Sequence, residues 1–188
     1  PRMVLMAPGD TEELKLMLDF AVGYNGGPIA IRYPRGTEMK LRAAGPKAQP
    51  KIELGKSEML REGADAVIVA LGSMVWYGLE AASILEKQGI KAAVVNARFV
   101  KPLDEGLFMC LADKTRLFVT LEEGVIEGGF GSAVMEFFER ERVNNVKIVR
   151  IGLPSEFMEH GSKEELFKKY NITPEGIAAI INQARMQR

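Results

Sequence analysis

The chain has 188 residues, 47% hydrophobic and 27% charged, with 25 Lys and Arg balancing 25 Asp and Glu. That length fits one large or two small domains with a sizeable core, and the balanced charge leaves no basic excess for nucleic acid or an anionic membrane surface. No apolar run approaches the roughly 20 residues of a membrane-spanning helix, and the single cysteine, which permits no internal disulfide, agrees with a reducing cytoplasm.

Residues 1–8, Pro-Arg-Met-Val-Leu-Met-Ala-Pro, lack the charged head and long apolar stretch of a signal peptide and read as a buried strand. A chain that starts almost inside a strand reads as a fragment. Asp10 stands three residues before Glu13, the spacing of a capping box, so a helix is predicted from Thr11. Its apolar face carries Leu14, Leu16, Met17, Leu18, Phe20 and Ala21, and Asn25-Gly26-Gly27 ends it before a second strand at 28–32. This strand–helix–strand unit is too small to be a domain and suits the edge of a larger α/β domain.

Residues 36–50 lose periodicity and gather Gly, Pro and Lys, as an interdomain linker does. Beyond it, 52–60 and 66–71 flank a turn at 61–65, which predicts an antiparallel pair. Helices are then expected at 75–88, 104–111, 129–142, 163–170 and 174–186, with strands at 92–96, 116–121 and 146–151. Strands separated by helices imply right-handed crossovers and a mainly parallel sheet covered on both faces.

Several residues invite a chemical reading. The turn Gly128-Gly129-Phe130-Gly131-Ser132 follows a strand and opens a helix, where free amides hold anions. Val134 stands where the dinucleotide fingerprint needs its third Gly or Ala, so a tight strand-to-helix turn is the better reading. Glu122 and Glu123 end a strand, but neighbours in a strand face opposite ways, so they are expected to cap the turn or to pair with Arg98. His160, the single histidine, lacks an oriented partner and reads as a loop or subunit contact. Cys110, within an apolar stretch, reads as a small buried hydrophobe. Arg32 and Arg35 leave a strand around Pro34, before Gly36; a guanidinium there suits a phosphate, and the alternative is a surface salt bridge.

Taken together, Met3-Val4-Leu5-Met6-Ala7-Pro8, Gly27-Pro28-Ile29-Ala30-Ile31-Arg32-Tyr33-Pro34-Arg35-Gly36, Asn96-Ala97-Arg98-Phe99-Val100-Lys101-Pro102-Leu103-Asp104, Glu122-Glu123 with the glycine turn, and Ile151-Gly152-Leu153-Pro154 form one ordered set. In that order and spacing the chain resembles, from end to end, the 1-deoxy-D-xylulose-5-phosphate synthase family of transketolase-like thiamine-diphosphate enzymes.

The resemblance implies that 1–36 end a pyrimidine-binding domain, 37–50 are a linker and 51–188 are a transketolase-type C-terminal domain. That domain would hold a mainly parallel five-stranded sheet with one antiparallel strand. It further implies a cytoplasmic homodimer using thiamine diphosphate and Mg2+. Such an enzyme decarboxylates pyruvate and joins it to glyceraldehyde 3-phosphate for isoprenoid, thiamine and pyridoxal synthesis. Gly9-Asp10-Thr11 is not the family's Gly-Asp-Gly metal motif. The family's catalytic, cofactor and metal groups fall outside this chain, so the chain alone is expected to be inactive and to bind no cofactor. By the same resemblance Arg35 is the substrate-phosphate ligand, while Arg32 and Tyr33 hold its loop. The alternative is a stand-alone, non-catalytic dimerisation or regulatory module.

Overall fold

Short apolar runs between turn residues make the strands, and most helices begin where a side chain takes their first free amides. The computed structural model describes residues 2–34 and 51–187, so Arg35 and the expected linker at 37–50 lie outside the described residues. Those described form, in order, β1 (Val4–Met6), α1 (Thr11–Gly23), β2 (Ile29–Ile31), β3 (Glu58–Arg61), β4 (Ala66–Ala70), α2 (Met74–Lys87) and β5 (Ala92–Asn96). Then follow β6 (Phe99–Lys101), α3 (Glu105–Lys114), β7 (Leu117–Val125), α4 (Phe130–Arg140), β8 (Lys147–Leu153), α5 (Lys163–Lys169) and α6 (Pro174–Met186).

Asp10 caps α1, its Oδ1 accepting from the Glu13 amide at 2.8 Å. The reciprocal half of the expected box is redirected, because Glu13 Oε2 accepts instead from the Gly9 amide at 2.6 Å. At α5 the box is complete, with Ser162 and Glu165 each bonding the other's backbone.

The larger sheet runs β3-β5-β4-β7-β8, parallel throughout except for β3. This is the mainly parallel five-stranded α/β sheet with one antiparallel strand. Ala66, Ile68 and Ala70 of β4 face a core shared with α2, α5 and α6, while Val67 and Val69 face one shared with α3 and α4. Helices therefore cover both faces, and β4 reads as an unbroken apolar run because both its sides are buried. At Gly78 of α2 an added Cβ would come within 3.1 Å of Ile68 Cγ2, so this glycine sets how closely helix and sheet approach.

The antiparallel pair expected across the turn at 61–65 does not form. β3 pairs with β5, Met59 opposite Val95, and β5 separates it from β4. Apolar on both faces, β4 takes a central place where each face is covered, and the partly exposed β3 is left at the edge. The turn crosses the head of β5 closely. The Asp65 amide donates to Lys91 O at 2.9 Å, and a Cβ on Gly63 would strike the backbone of Ala92 and Ala93.

A smaller sheet, β2-β1-β6, joins the strands near the start of the chain to residues 99–101 in its middle. β1 runs parallel to β2 and antiparallel to β6, with Val4, Met6, Met17, Ile52 and Phe99 forming a third core. The strand–helix–strand unit is thus completed by residues 99–101. On α3 the packed face carries Phe108, Leu111 and Ala112. Cys110 falls on the other side and is exposed, contrary to the expectation of a buried hydrophobe.

Candidate functional site

Parallel strands direct their carboxyl ends to one edge, the place where α/β sheets hold ligands. Ser73 lies beyond β4, Asn96 and Arg98 at the end of β5, Glu122 and Glu123 in β7, and Gly152 in β8. Glu122 is buried, and its two oxygens accept from the amides of Phe130 and Gly131 at 2.8 Å each. These are first-turn amides of α4, so a carboxylate of the protein itself fills the position where a bound anion would sit.

Two glycines make this possible. A Cβ on Gly129 would overlap the Glu122 carboxylate and the Val125 carbonyl, and one on Gly152 would lie 3.0 Å from Glu122 Cγ. The glycine turn is therefore a packing device, as its incomplete fingerprint implied. Burial raises the Glu122 pKa above its ordinary value, against the lowering influence of the two amides and of the Arg32 and Arg150 charges. Glu123 faces the other way, accepting from Ser73 Oγ at 2.5 Å and pairing with Lys163 at 3.1 Å.

Arg98 pairs with neither of these acids. Its guanidinium crosses the join between α1 and the larger sheet: Nε donates to Glu13 Oε1 and Nη2 to Glu58 Oε2, both at 2.6 Å. Asn96 Nδ2 donates to the two Glu13 oxygens at 3.0 and 2.8 Å, and Asn96 Oδ1 accepts from the Arg98 amide at 3.2 Å. Arg98 adopts left-handed backbone at φ 58° to reach this position. With its charge shared between two carboxylates, Arg98 serves to hold the strand–helix–strand unit against the sheet rather than to hold a ligand.

The remaining sequence candidates scatter. Arg35 lies outside the described residues. The Arg32 amide donates to Met6 O at 2.8 Å, while Tyr33 and His160 are exposed. Among the described residues no group of three or more His, Cys, Asp or Glu is placed to hold a metal ion, and no helix is long and apolar enough to cross a membrane. Sequence reasoning missed the Glu13–Asn96–Arg98–Glu58 cluster. Its one signal was Glu13, a carboxylate at a capping position, which the cap alone sufficed to explain.

Residues 55–177 match the model of the family described as transketolase, C-terminal domain. The chain is 46% identical over 183 residues to a 1-deoxy-D-xylulose-5-phosphate synthase of Heliobacterium modesticaldum, covering 97% of this chain and 28% of that one. To the enzyme of the same description from Aquifex aeolicus it is 44% identical over 184 residues, covering 98% and 28%. The chain thus spans a little over a quarter of the length of these relatives. Among solved structures, one described as a split gene transketolase, inactive beta4 tetramer, superposes with a TM-score of 0.83 at 32% identity, over 99% of this chain and 58% of that one. A transketolase of Pichia stipitis superposes at 0.71 with 22% identity, over 99% and 25%, and shares the fold.

Proposed function

The chain belongs to the transketolase C-terminal domain family, and on that premise we propose that it is the C-terminal part of a 1-deoxy-D-xylulose-5-phosphate synthase. The longer protein then decarboxylates pyruvate and joins the remaining two-carbon unit to glyceraldehyde 3-phosphate, as a cytoplasmic homodimer using thiamine diphosphate and Mg2+, for isoprenoid, thiamine and pyridoxal synthesis. The observation that carries this reading is identity of 46% sustained over 97% of the chain, across the strand–helix–strand unit and the larger sheet alike.

The described residues do not fit the cofactor or its metal. Glu122 occupies the α4 amides, and no group of three or more His, Cys, Asp or Glu among the described residues is placed to hold a cation. In this reading the cofactor sites belong to other segments of the longer protein. The share of 51–188 is assembly, and the share of 1–36, the end of the pyrimidine-binding domain, is Arg35, which takes the phosphate of glyceraldehyde 3-phosphate. β6 supports that role, because it braces the small sheet whose strand β2 ends four residues before Arg35 in the sequence.

The test is turnover of the longer protein with pyruvate and glyceraldehyde 3-phosphate. Release of CO2 with formation of the five-carbon deoxy sugar phosphate is expected, and the present chain alone should be silent. Ketol transfer between sugar phosphates instead would overturn the reading. Arg35→Ala should weaken apparent affinity for glyceraldehyde 3-phosphate by about ten- to a hundredfold, the loss of one charge-assisted contact. Arg35→Lys should stay impaired, and pyruvate should be little affected. Equal loss toward unphosphorylated glyceraldehyde would return Arg35 to a loop-holding salt bridge.

One observation favours a second reading, a separate non-catalytic module: the split gene transketolase superposes over 99% of this chain, and its description is of an inactive assembly. A native polypeptide near 20.7 kDa in source cells would favour the module, and a much longer one the synthase.

A further inference from the structure

We propose that the amino edge of the larger sheet, opposite the edge that carries Glu122, is a binding site for a small molecule bearing phosphate groups. A half-open cleft of about 530 Å³ lies there between the start of β7, the start of β8 and the end of α6. That volume lies within the range of small-ligand pockets. Its wall combines apolar Leu117 and Val146 with four cations, Lys114, Arg116, Lys147 and Arg185.

Asp65 is the acid on this lining, and it is already engaged, by Arg185 Nη2 at 3.1 Å and by the Lys91 amide at 2.7 Å. Lys114, Arg116 and Lys147 have no carboxylate within ion-pair distance among the described residues. Two of them contact neutral groups: Arg116 Nη1 donates to Asn145 O at 3.4 Å, and Lys147 Nζ to Ala184 O at 3.0 Å. Carbonyls orient these side chains without cancelling their charge, and a guanidinium keeps further N–H donors for a ligand.

Like charges gathered over a concave, partly apolar wall reinforce one another's field and raise the local concentration of anions. Phosphate oxygens match both the fork of Arg116 and the point charge of Lys114. The chain as a whole carries no basic excess, and the cations line one cavity rather than a long stripe. A compact, multiply charged metabolite therefore fits better than a nucleic acid backbone.

Inorganic pyrophosphate is the probe, titrated by calorimetry at low ionic strength into the complete protein with its thiamine-diphosphate and glyceraldehyde 3-phosphate sites filled beforehand. Saturable binding is expected, weakened at least about tenfold in the Lys114→Glu/Arg116→Glu variant, which loses two charge-assisted contacts and gains repulsion. A Lys101→Glu/Lys168→Glu variant makes the same change of charge at exposed positions outside the cavity and should bind within about twofold of the original. Circular dichroism checks that each variant is folded, and Lys114→Met/Arg116→Met replaces the charge reversal if that chain does not fold. Absence of saturable binding in the unaltered protein would overturn the site. So would equal weakening in both double variants, which signals diffuse charge, or undiminished binding in the cavity variant, which places the pyrophosphate elsewhere.

Discussion

Glu13 and Glu122 are both buried acids, 6% and 4% exposed, and the fold accommodates them by different means. Glu13 takes donors from far along the chain, the guanidinium of Arg98 and the amide of Asn96, beside the nearby Gly9 N–H. Glu122 takes two backbone amides from the next turn, with Arg32 and Arg150 acting only at longer range. A charge partner from a distant segment makes the first acid a fastener between units. Local amides make the second a brace for one turn, and leave its charge costly enough that its pKa rises.

If that contrast holds, the largest effect comes from Arg98→Met, which takes the guanidinium away from the buried Glu13 carboxylate. Breaking a buried pair from one side costs about 3–5 kcal/mol, read as a fall in urea-unfolding stability. Removing the Glu13 charge as well, in Glu13→Gln/Arg98→Met, should recover part of that loss. A double variant as unstable as the sum of its singles would break the comparison, because the two side chains would then act independently.

Glu122→Ala should cost less, about 1–3 kcal/mol, since it bares two amides in one turn rather than stranding a charge between units. Hydrogen exchange gives the sharper reading. The Phe130 and Gly131 amides should exchange faster while those of α1 keep their protection. Loss of protection in both regions alike would mean that the brace is not local.

The two acids also differ in how pH reaches them. Because burial holds the Glu122 pKa above its ordinary value, the folded chain binds that proton more tightly than the unfolded chain. Its contribution to stability is fully present below the unfolded pKa and is lost as pH rises through the raised folded one. Glu122→Gln cannot titrate. The stability of the unaltered chain relative to Glu122→Gln should therefore increase as pH falls from neutral toward the ordinary carboxylate range, in paired urea titrations. A difference that stays flat or shrinks on acidification would mean that the amides, not burial, dominate.

The contrast also shows what one sequence makes legible. Period and caps located the helices well: α6 spans 174–186 as predicted, and the Ser162–Glu165 box opens α5. The alternation of strands and helices gave the parallel sheet, and the position of Glu122 before a glycine turn gave its capping role. All of these rest on residues close in the chain. The failures concern partners across distance. Nothing local to β3 says that it will lie on β5 rather than β4, and nothing near residue 13 announces an arginine 85 positions away. Of the two roles expected for Glu122 and Glu123, capping the turn is local and occurs, while pairing with Arg98 needs a contact across the fold and does not. Cys110 was misread because an apolar stretch does not say which side of a helix will be covered.

The smallest effect tests whether burial, and not distance, gives the Glu13–Arg98 pair its weight. Lys169 and Glu159 meet at 2.6 Å, the same separation as Arg98 and Glu13, but their side chains are 48% and 60% exposed against 4% and 7%. Water solvates each exposed partner when the other is removed, and holding two long side chains in one geometry costs entropy that offsets most of the attraction. Salt screens what remains. Glu159→Gln, a change that keeps the side chain's size, should leave the urea midpoint where it was, within the error of the measurement, at low and at high salt. Arg98→Met under the same conditions should stay strongly destabilised, because Glu13, its side chain 7% exposed, is shielded from both water and ions. If Glu159→Gln were to destabilise the chain as much as Arg98→Met, then separation alone would set the strength of a pair, and the distinction between a fastener and a surface contact would fall.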